Sequence, residues 1–155
     1  MKTRLPSKDL VLEACSGCII EPHPVLQAAY ELASLHEARP TIGSGPGAIE
    51  IDCARYRLVR DIDRWVALEM PTPHSAAAMH TETVGMVIDR LAGFFVEAYA
   101  ALSVDSSEPE LHFAWQRLAE LSLAYDDLSH DLARQRRRIP DFACPEPDSK
   151  PHSAK

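Results

Sequence analysis

Residues 75–102, SAAAMHTETVGMVIDRLAGFFVEAYAAL, lie in the longest proline-free stretch of the chain, which runs from 74 to 108. Large apolar residues recur there at the spacing of one helical face. The other side of this predicted helix carries Gly85, Met86, Gly93 and Val96, so the helix is only weakly amphipathic. A helix without a broad polar side is buried on most sides. We therefore expect it to be the most enclosed helix of the fold.

The twelve prolines divide the rest of the chain in the same way. A proline in a helix interior costs about 3 kcal/mol, so long stretches between prolines predict helices. No segment alternates polar and apolar residues as a half-buried strand would. The sequence therefore predicts an all-α fold, an antiparallel up-down bundle of four main helices with a short N-terminal helix. The predicted helices cover residues 7–14, 24–39, 48–69, 75–102 and 109–138, with a loop at 40–47.

The length of 155 residues fits one soluble domain. We place this helical-bundle domain at residues 1–139. Residues 140–155 are polar and contain four prolines, which predicts a disordered tail. Residues 1–10 lack a signal-peptide pattern, and no uncharged apolar run approaches the roughly 20 residues of a membrane span. We therefore expect a cytoplasmic protein whose four cysteines, Cys144 among them, are reduced thiols.

The formal net charge of −7 argues against binding to nucleic acid or to a membrane, and neither partner is expected. The basic stretch 134–138 is interpreted as cations favoured by a helix C-terminus. Cys15 and Cys18 have the spacing of a redox or zinc half-motif, but they follow a helix C-terminus, whose dipole disfavours thiolates. We expect no cofactor and no metal. A zinc site that adds His23 and Cys53 is the alternative.

A first polar cluster is predicted around Arg55, which lies on the apolar face of the third helix. A buried guanidinium is costly unless a carboxylate pairs with it. In an up-down bundle the end of the second helix lies beside the start of the third, so His36, Glu37 and Arg39 should share one end with Asp52 and Arg55. This cluster is either a structural ion-pair network or a pocket for an anion or a sugar phosphate. In the pocket, Arg55 and Arg39 would bind the ligand and His36 would exchange a proton.

A second cluster is expected at the opposite end of the bundle. His80 and Thr81 fall on the buried stripe of the fourth helix, and Glu82 and Asp89 lie on its other side. Di-metal bundles use such side chains, but they carry the Glu-x-x-His motif twice and this chain lacks it. A hydrogen-bonded core histidine is therefore favoured over a metal centre. The residues expected to converge with this cluster are Asp63, Glu69, Asp126 and His130.

Gly85 and Gly93 each cost about 1 kcal/mol in a helix relative to alanine. Something therefore approaches the backbone closely at both positions. We expect a neighbouring helix there, with a ligand as the alternative.

Three segments, LHEAR at 35–39, RYRLVRDID at 55–63 and HTETVGMVIDRL at 80–91, carry a family resemblance. Through them the chain resembles an uncharacterised bacterial family, domain of unknown function 4254, over most of residues 5–140. Asp52 stands where related sequences have an amide. The resemblance implies no activity. It does imply that the polar residues of these segments recur in the family: His36, Glu37, Arg39, Arg55, Asp63, Glu82, Thr83, Gly85, Asp89 and Arg90.

The sequence predicts a small helical protein that binds an anionic or sugar-phosphate-type metabolite, with catalysis left open. The alternative is a non-enzymatic interaction or scaffold protein, whose partner would be another protein or a second copy of the chain. A remote alternative is a helical enzyme like chorismate mutase, suggested by RYRLV at 55–59. The candidate ligand-binding residues are His36, Glu37, Arg39, Arg55, Asp63, His80, Glu82, Asp89 and Arg90.

Overall fold

The structure, a computed structural model, describes residues 4–103 and 105–142. The predicted tail from 143 onward, with Cys144, lies outside the described residues. The described part contains the helices α1 (Lys8–Cys15), α2 (Pro24–Ile42), α3 (Pro46–Glu69), α4 (Val84–Ala100) and α5 (Glu108–Ala133). It also contains two short strands, β1 (Ala78–Met79) and β2 (Arg137–Arg138).

Helix α4 is the central element of the bundle. It packs against α1, α2, α3 and α5, whereas α3 and α5 do not pack against each other within the described residues. Most of its apolar side chains are buried, including Val84, Ile88, Leu91 and Ala98. The all-α bundle and the enclosed fourth helix are thereby confirmed. Because α3 and α5 stay apart, one side of α4 remains uncovered between them.

Contacts between neighbouring helices show that successive helices run antiparallel. Asp89 of α4 bonds Arg55 of α3, and Gly85, earlier in α4, bonds Asp63, later in α3. On the other side, Tyr99 of α4 contacts Trp115 of α5 at a ring-centroid distance of 5.3 Å. This register decides which polar groups of α3 and α4 meet.

Helix α4 begins at Val84, so the prediction that residues 75–83 are helical is wrong. Thr83 is 4% exposed and caps the helix, because its hydroxyl accepts a hydrogen bond from the backbone N–H of Met86 at 3.2 Å. His80, Thr81 and Glu82 therefore precede the helix instead of lying on its faces. No proline marks this helix start, and the prediction missed the capping threonine.

The chain after α5 turns back along the connection between α3 and α4. Helix α5 ends at Ala133, and Gln135 takes a left-handed conformation with φ of 61°. Strand β2 then pairs in parallel with β1, and the N–H of His80 donates to the carbonyl of Arg138 at 2.7 Å. We call residues 135–142 the C-terminal strap. The predictions of no strand and of a helix reaching 138 are wrong.

Two arginines of the basic stretch 134–138 fix the position of the strap. Arg137 forms an ion pair with Asp131 at 3.1 Å, and Arg138 Nε donates to the carbonyl of Ala77 at 2.7 Å. Arg134 is the C-cap residue of α5, so the interpretation as cations at a helix C-terminus holds there, whereas Arg137 and Arg138 lie beyond the helix in the strap.

Helix α2 continues to Ile42, three residues past its predicted end at 39, with Pro40 inside its last turn. A proline there removes one intrahelical hydrogen bond near the end of the helix, where carbonyls lack partners anyway. Arg39 Nη1 donates to the carbonyl of Gly43 at 2.9 Å, which supplies one such partner. Within the described residues, no helix has the length and hydropathy needed to cross a membrane.

Candidate functional site

The uncovered side of α4 forms a groove of about 270 Å³. Helices α2 and α3 and the segment before α4 contribute to its walls. We call it the α4 groove, and its lining residues are His36, Arg55, Glu82, Met86, Asp89, Arg90, Gly93, Phe94 and Glu97. The prediction that His36 and Arg55 lie at the opposite end of the bundle from Glu82 and Asp89 is wrong, since all four line this groove.

Asp89 is the centre of the polar network in the groove. Its carboxylate accepts two hydrogen bonds from Arg55, from Nε at 3.1 Å and from Nη2 at 2.7 Å. It also accepts a hydrogen bond from His36 Nε2 at 2.8 Å. The side chains of Asp89 and Arg55 are 18% and 27% exposed, so both are largely removed from water. The expectation that Arg55 has a carboxylate partner is confirmed.

The charge state of Asp89 follows from its surroundings. Burial raises the pKa of a carboxyl group, but the hydrogen bonds from His36 and Arg55 outweigh burial and hold the pKa of Asp89 below its ordinary value. The hydrogen bond to Asp89 in turn raises the pKa of Arg55. Asp89 and Arg55 are therefore a fixed ion pair, and Arg55 is committed to it.

His36 has one ring nitrogen bound to Asp89 and the other one free. Nε2 lies 2.8 Å from the Asp89 carboxylate and 3.0 Å from the Asp89 carbonyl oxygen. Both partners are acceptors, so Nε2 carries the proton and Nδ1 of the neutral ring keeps a lone pair. Nδ1 receives no hydrogen bond from any described residue. Asp89 thus fixes the tautomer of His36.

Gly93 makes room for the His36 ring. A Cβ at position 93 would lie 2.9 Å from Cε1 and 3.2 Å from Nδ1 of His36. The close approach predicted at Gly93 is therefore confirmed, and its partner is a side chain of α2. The distances to Nδ1 and Nε2 are nearly equal, at 3.2 Å and 3.3 Å, so the absent Cβ lets the face of the ring pack against the backbone of α4.

The rim of the groove carries two more ion pairs. Arg90 pairs with Glu82, and Arg117 of α5 pairs with Glu97. The Arg90 side chain is 46% exposed, so its pair with Glu82 faces solvent. The Cζ of Arg117 lies 4.3 Å from the ring centroid of Phe94, and its Nε is buried without a hydrogen-bond partner among the described residues.

Sequence reasoning did not select several groove residues. Met86, Phe94 and Glu97 share one side of α4 with Arg90, because they follow one another at intervals of four, four and three residues. This spacing was available in the sequence. It gains meaning only once α3 and α5 are known to leave that side of α4 open.

Four of the nine candidate residues lie outside the groove. Arg39 bonds Asp52 at 3.3 Å, and Asp52 also contacts Arg55, so Arg39 is linked to the network at one remove. Glu37 is exposed and forms no ion pair within the described part of the chain. His80 lies beside the strap, and its Nδ1 contacts the backbone of Glu82.

Asp63, the fourth candidate residue outside the groove, binds the first turn of α4. Its carboxylate accepts the backbone N–H of Gly85 at 2.7 Å and a hydrogen bond from the Thr83 hydroxyl. Burial raises the pKa of Asp63, and these two hydrogen bonds reduce that rise without cancelling it. A Cβ at position 85 would lie 2.8 Å from Asp63 Oδ1 and still closer to the Val59 carbonyl oxygen. The neighbouring helix expected at Gly85 is confirmed.

The predicted convergence of Asp63 with Glu69, Asp126 and His130 is wrong. His130 Nδ1 donates to the carbonyl of Asp126 in its own helix at 2.8 Å. Among residues 4–103 and 105–142, no three His, Cys, Asp or Glu side chains lie close enough together to hold a metal ion.

The two cysteines of the half-motif differ in exposure. Cys15 is buried and Cys18 is exposed, and burial raises the pKa of Cys15 to about 12. The Cys15 thiol is therefore protonated at neutral pH and is not a reactive thiolate.

The fold and the groove define the chain as an all-α bundle protein with an ion-paired groove along its central helix. The model of the family "Protein of unknown function (DUF4254)" matches residues 49–140, which is more than half of the chain. The chain belongs to this family, and the resemblance seen in the sequence is confirmed. The matched segment contains every lining residue of the α4 groove except His36. A comparison with curated proteins found no match, and neither did a comparison with solved structures.

Proposed function

We propose that the α4 groove binds a small anionic metabolite of the sugar-phosphate type, with Arg90 as the main anion-binding residue. The observation that carries this proposal is the ion pair at the rim between Arg90, whose side chain is 46% exposed, and the half-buried Glu82. Exposed ion pairs contribute only about 0–1 kcal/mol, so a ligand can replace one partner at little cost. A phosphate offers Arg90 two charge-assisted hydrogen bonds in return.

Arg55 has a different role in this proposal. It is committed to Asp89 by two hydrogen bonds in a largely buried position. Breaking such a pair leaves an uncompensated charge, which costs far more than opening an exposed pair. Arg55 therefore orients Asp89 and adds positive potential to the groove, while Arg90 exchanges Glu82 for the ligand.

Because arginines and carboxylates both line the groove, two substitutions should change the affinity for an anion in opposite directions. Two arginines and three carboxylates line it, so Glu82 competes with an anionic ligand for Arg90. Arg90→Gln should weaken binding of glycerol 3-phosphate by about tenfold or more, because a hydrogen bond to a charged group contributes about 1.5–3 kcal/mol. Glu82→Gln should strengthen it several-fold, since it frees Arg90.

Isothermal titration calorimetry on the purified protein measures both effects. Arg64→Gln is the matched control, because Arg64 is exposed on α3 and forms no ion pair with any described residue. Its removal changes the net charge by the same amount and should leave the affinity unchanged. The proposal fails if glycerol 3-phosphate does not bind, or if Arg90→Gln and Arg64→Gln behave alike.

The alternative functions have less support. A protein partner would find two cations of the basic stretch 134–138 already engaged within the chain, since Arg137 bonds Asp131 and Arg138 bonds the carbonyl of Ala77. The comparison with chorismate mutase rests on RYRLV at 55–59, where Arg55 is bound to Asp89. The proposed function is ligand binding and includes no reaction.

A further inference from the structure

We infer that the ligand of the α4 groove carries a hydroxyl group, and that this hydroxyl donates a hydrogen bond to Nδ1 of His36. The inference rests on the proposed function and narrows it from anions in general to hydroxylated anions. Three observations carry it: the contacts of Asp89 with the imidazole, the packing of Gly93 against the face of the ring, and the position of Arg90 in the same groove.

The contacts of Asp89 decide the hydrogen-bonding character of the ring. Two acceptor oxygens of Asp89 bind Nε2, at 2.8 Å and 3.0 Å, so the proton stays on that nitrogen. Arg55 holds the same carboxylate from the other side and prevents it from turning away. In its neutral form the His36 ring therefore presents an acceptor at Nδ1, and a ligand group that bonds this nitrogen must be a donor.

The surroundings of Nδ1 leave this acceptor unpaired. His36 lines the groove with its side chain 19% exposed, and no described residue donates to Nδ1. At Gly93 a side chain would collide with the face of the ring, at 2.9 Å from Cε1, so the glycine lets α4 hold the ring in this position. An acceptor that the fold holds in one tautomer and leaves without a partner is suited to a ligand hydroxyl.

Arg90 and His36 line the same groove, so a ligand anion on Arg90 and a ligand hydroxyl on His36 belong to one molecule of small size. Asp89 is a positioning residue in this arrangement, because it acts through His36.

Two probes of equal charge separate the hydroxyl from the anion. Glycerol 3-phosphate carries two hydroxyls, and propyl phosphate has the same carbon chain and phosphate without them. Calorimetry on the unaltered protein should show glycerol 3-phosphate binding about tenfold more tightly, the effect of one satisfied hydrogen bond. His36→Phe should bring the ratio of the two affinities close to one, because the acceptor for the hydroxyl is gone. His112→Phe is the control, since His112 is exposed and has no partner among the described residues.

Nuclear magnetic resonance of the histidine rings supplies a test that needs no variant. In the unaltered protein, the ¹H–¹⁵N spectrum should show His36 protonated on Nε2 and unprotonated on Nδ1, and glycerol 3-phosphate should shift the Nδ1 resonance. A proton on Nδ1 overturns the inference. Equal affinities of the unaltered protein for the two probes also overturn it, while propyl phosphate binding through Arg90 would still support the proposed function. If neither probe binds, both proposals fall.

Discussion

Gly85→Ala tests how closely α3 and α4 pack at the start of the central helix. The new Cβ would lie 2.8 Å from Asp63 Oδ1, 3.0 Å from the Val59 carbonyl carbon, and closer still to the Val59 oxygen. Two of these atoms belong to the backbone of α3, so one helix must move. Overpacking of this kind costs about 1–3 kcal/mol. Weakening the hydrogen bond from Gly85 to the charged Asp63 adds up to about 1.5–3 kcal/mol, and the helix propensity of alanine returns up to about 1 kcal/mol.

The expected net loss in the free energy of unfolding is about 2–4 kcal/mol, which lowers the Tm of a protein of this size by roughly 5–15 °C. Urea unfolding followed by circular dichroism measures it. Gly47→Ala is the matched control, since Gly47 is the second residue of α3 as Gly85 is of α4. Its Cβ would meet only a side-chain methyl, Cγ2 of Ile42 at 2.9 Å, and no backbone atom, and the Ile42 side chain is 43% exposed. Equal stability of the two variants would refute the packing argument.

Three further predictions concern titratable groups. Burial raises the pKa of Asp63 in the folded state, so the folded protein loses stability when this carboxyl group ionises. Asp63→Asn should therefore be at least as stable as the unaltered protein when both are unfolded by urea at pH 7. Any such advantage should disappear below about pH 4. Asp89 has the opposite sign: its lowered pKa gives stability that is present above about pH 4 and lost as the pH falls through the folded pKa. Asp89→Asn should therefore cost about 1–2 kcal/mol at pH 7 and less at pH 2.5, and an equal cost at both values would contradict this. Finally, a thiol reagent at pH 8 should label Cys18 and Cys53 in the folded protein but Cys15 only after unfolding, as peptide mass spectrometry can show.

The sequence predicted the start of a helix well where a proline lies in its first two residues. Helix α2 begins at Pro24 as expected, and α3 and α5 begin within two residues of their predicted starts. The start of α4 was missed because no proline lies directly before Val84. Thr83, the N-cap residue, is the only strong indication of a helix start there. Each strand has only two residues, too few to show an alternation of polar and apolar residues in the sequence. The strands form because the C-terminal strap returns to pair with residues 78–79.

The candidate site was predictable in its residue types and unpredictable in its pairing. The cost of burying a guanidinium indicated that Arg55 has a carboxylate partner, but it could not say which one. Asp89 is that partner because of the register between α3 and α4, which depends on the close packing at Gly85. The antiparallel register of α3 and α4 pairs Arg55 with Asp89 and Asp63 with Gly85, which places Asp89 beside Arg55 instead of at the opposite end of the bundle.

The family match and the folding unit of this protein have different borders. The matched segment begins at residue 49, yet α4 is covered in part by α1 and α2, which precede it. The buried Tyr125 hydroxyl also donates to the carbonyl of Pro6 at 2.8 Å, across almost the whole chain. Residues 49–140 on their own would thus expose part of the central helix and leave Asp89 without His36. A chain that is similar only over the matched segment needs other residues to bury α4 and to donate a hydrogen bond to Asp89. Similarity over that segment is therefore not sufficient to predict the complete groove.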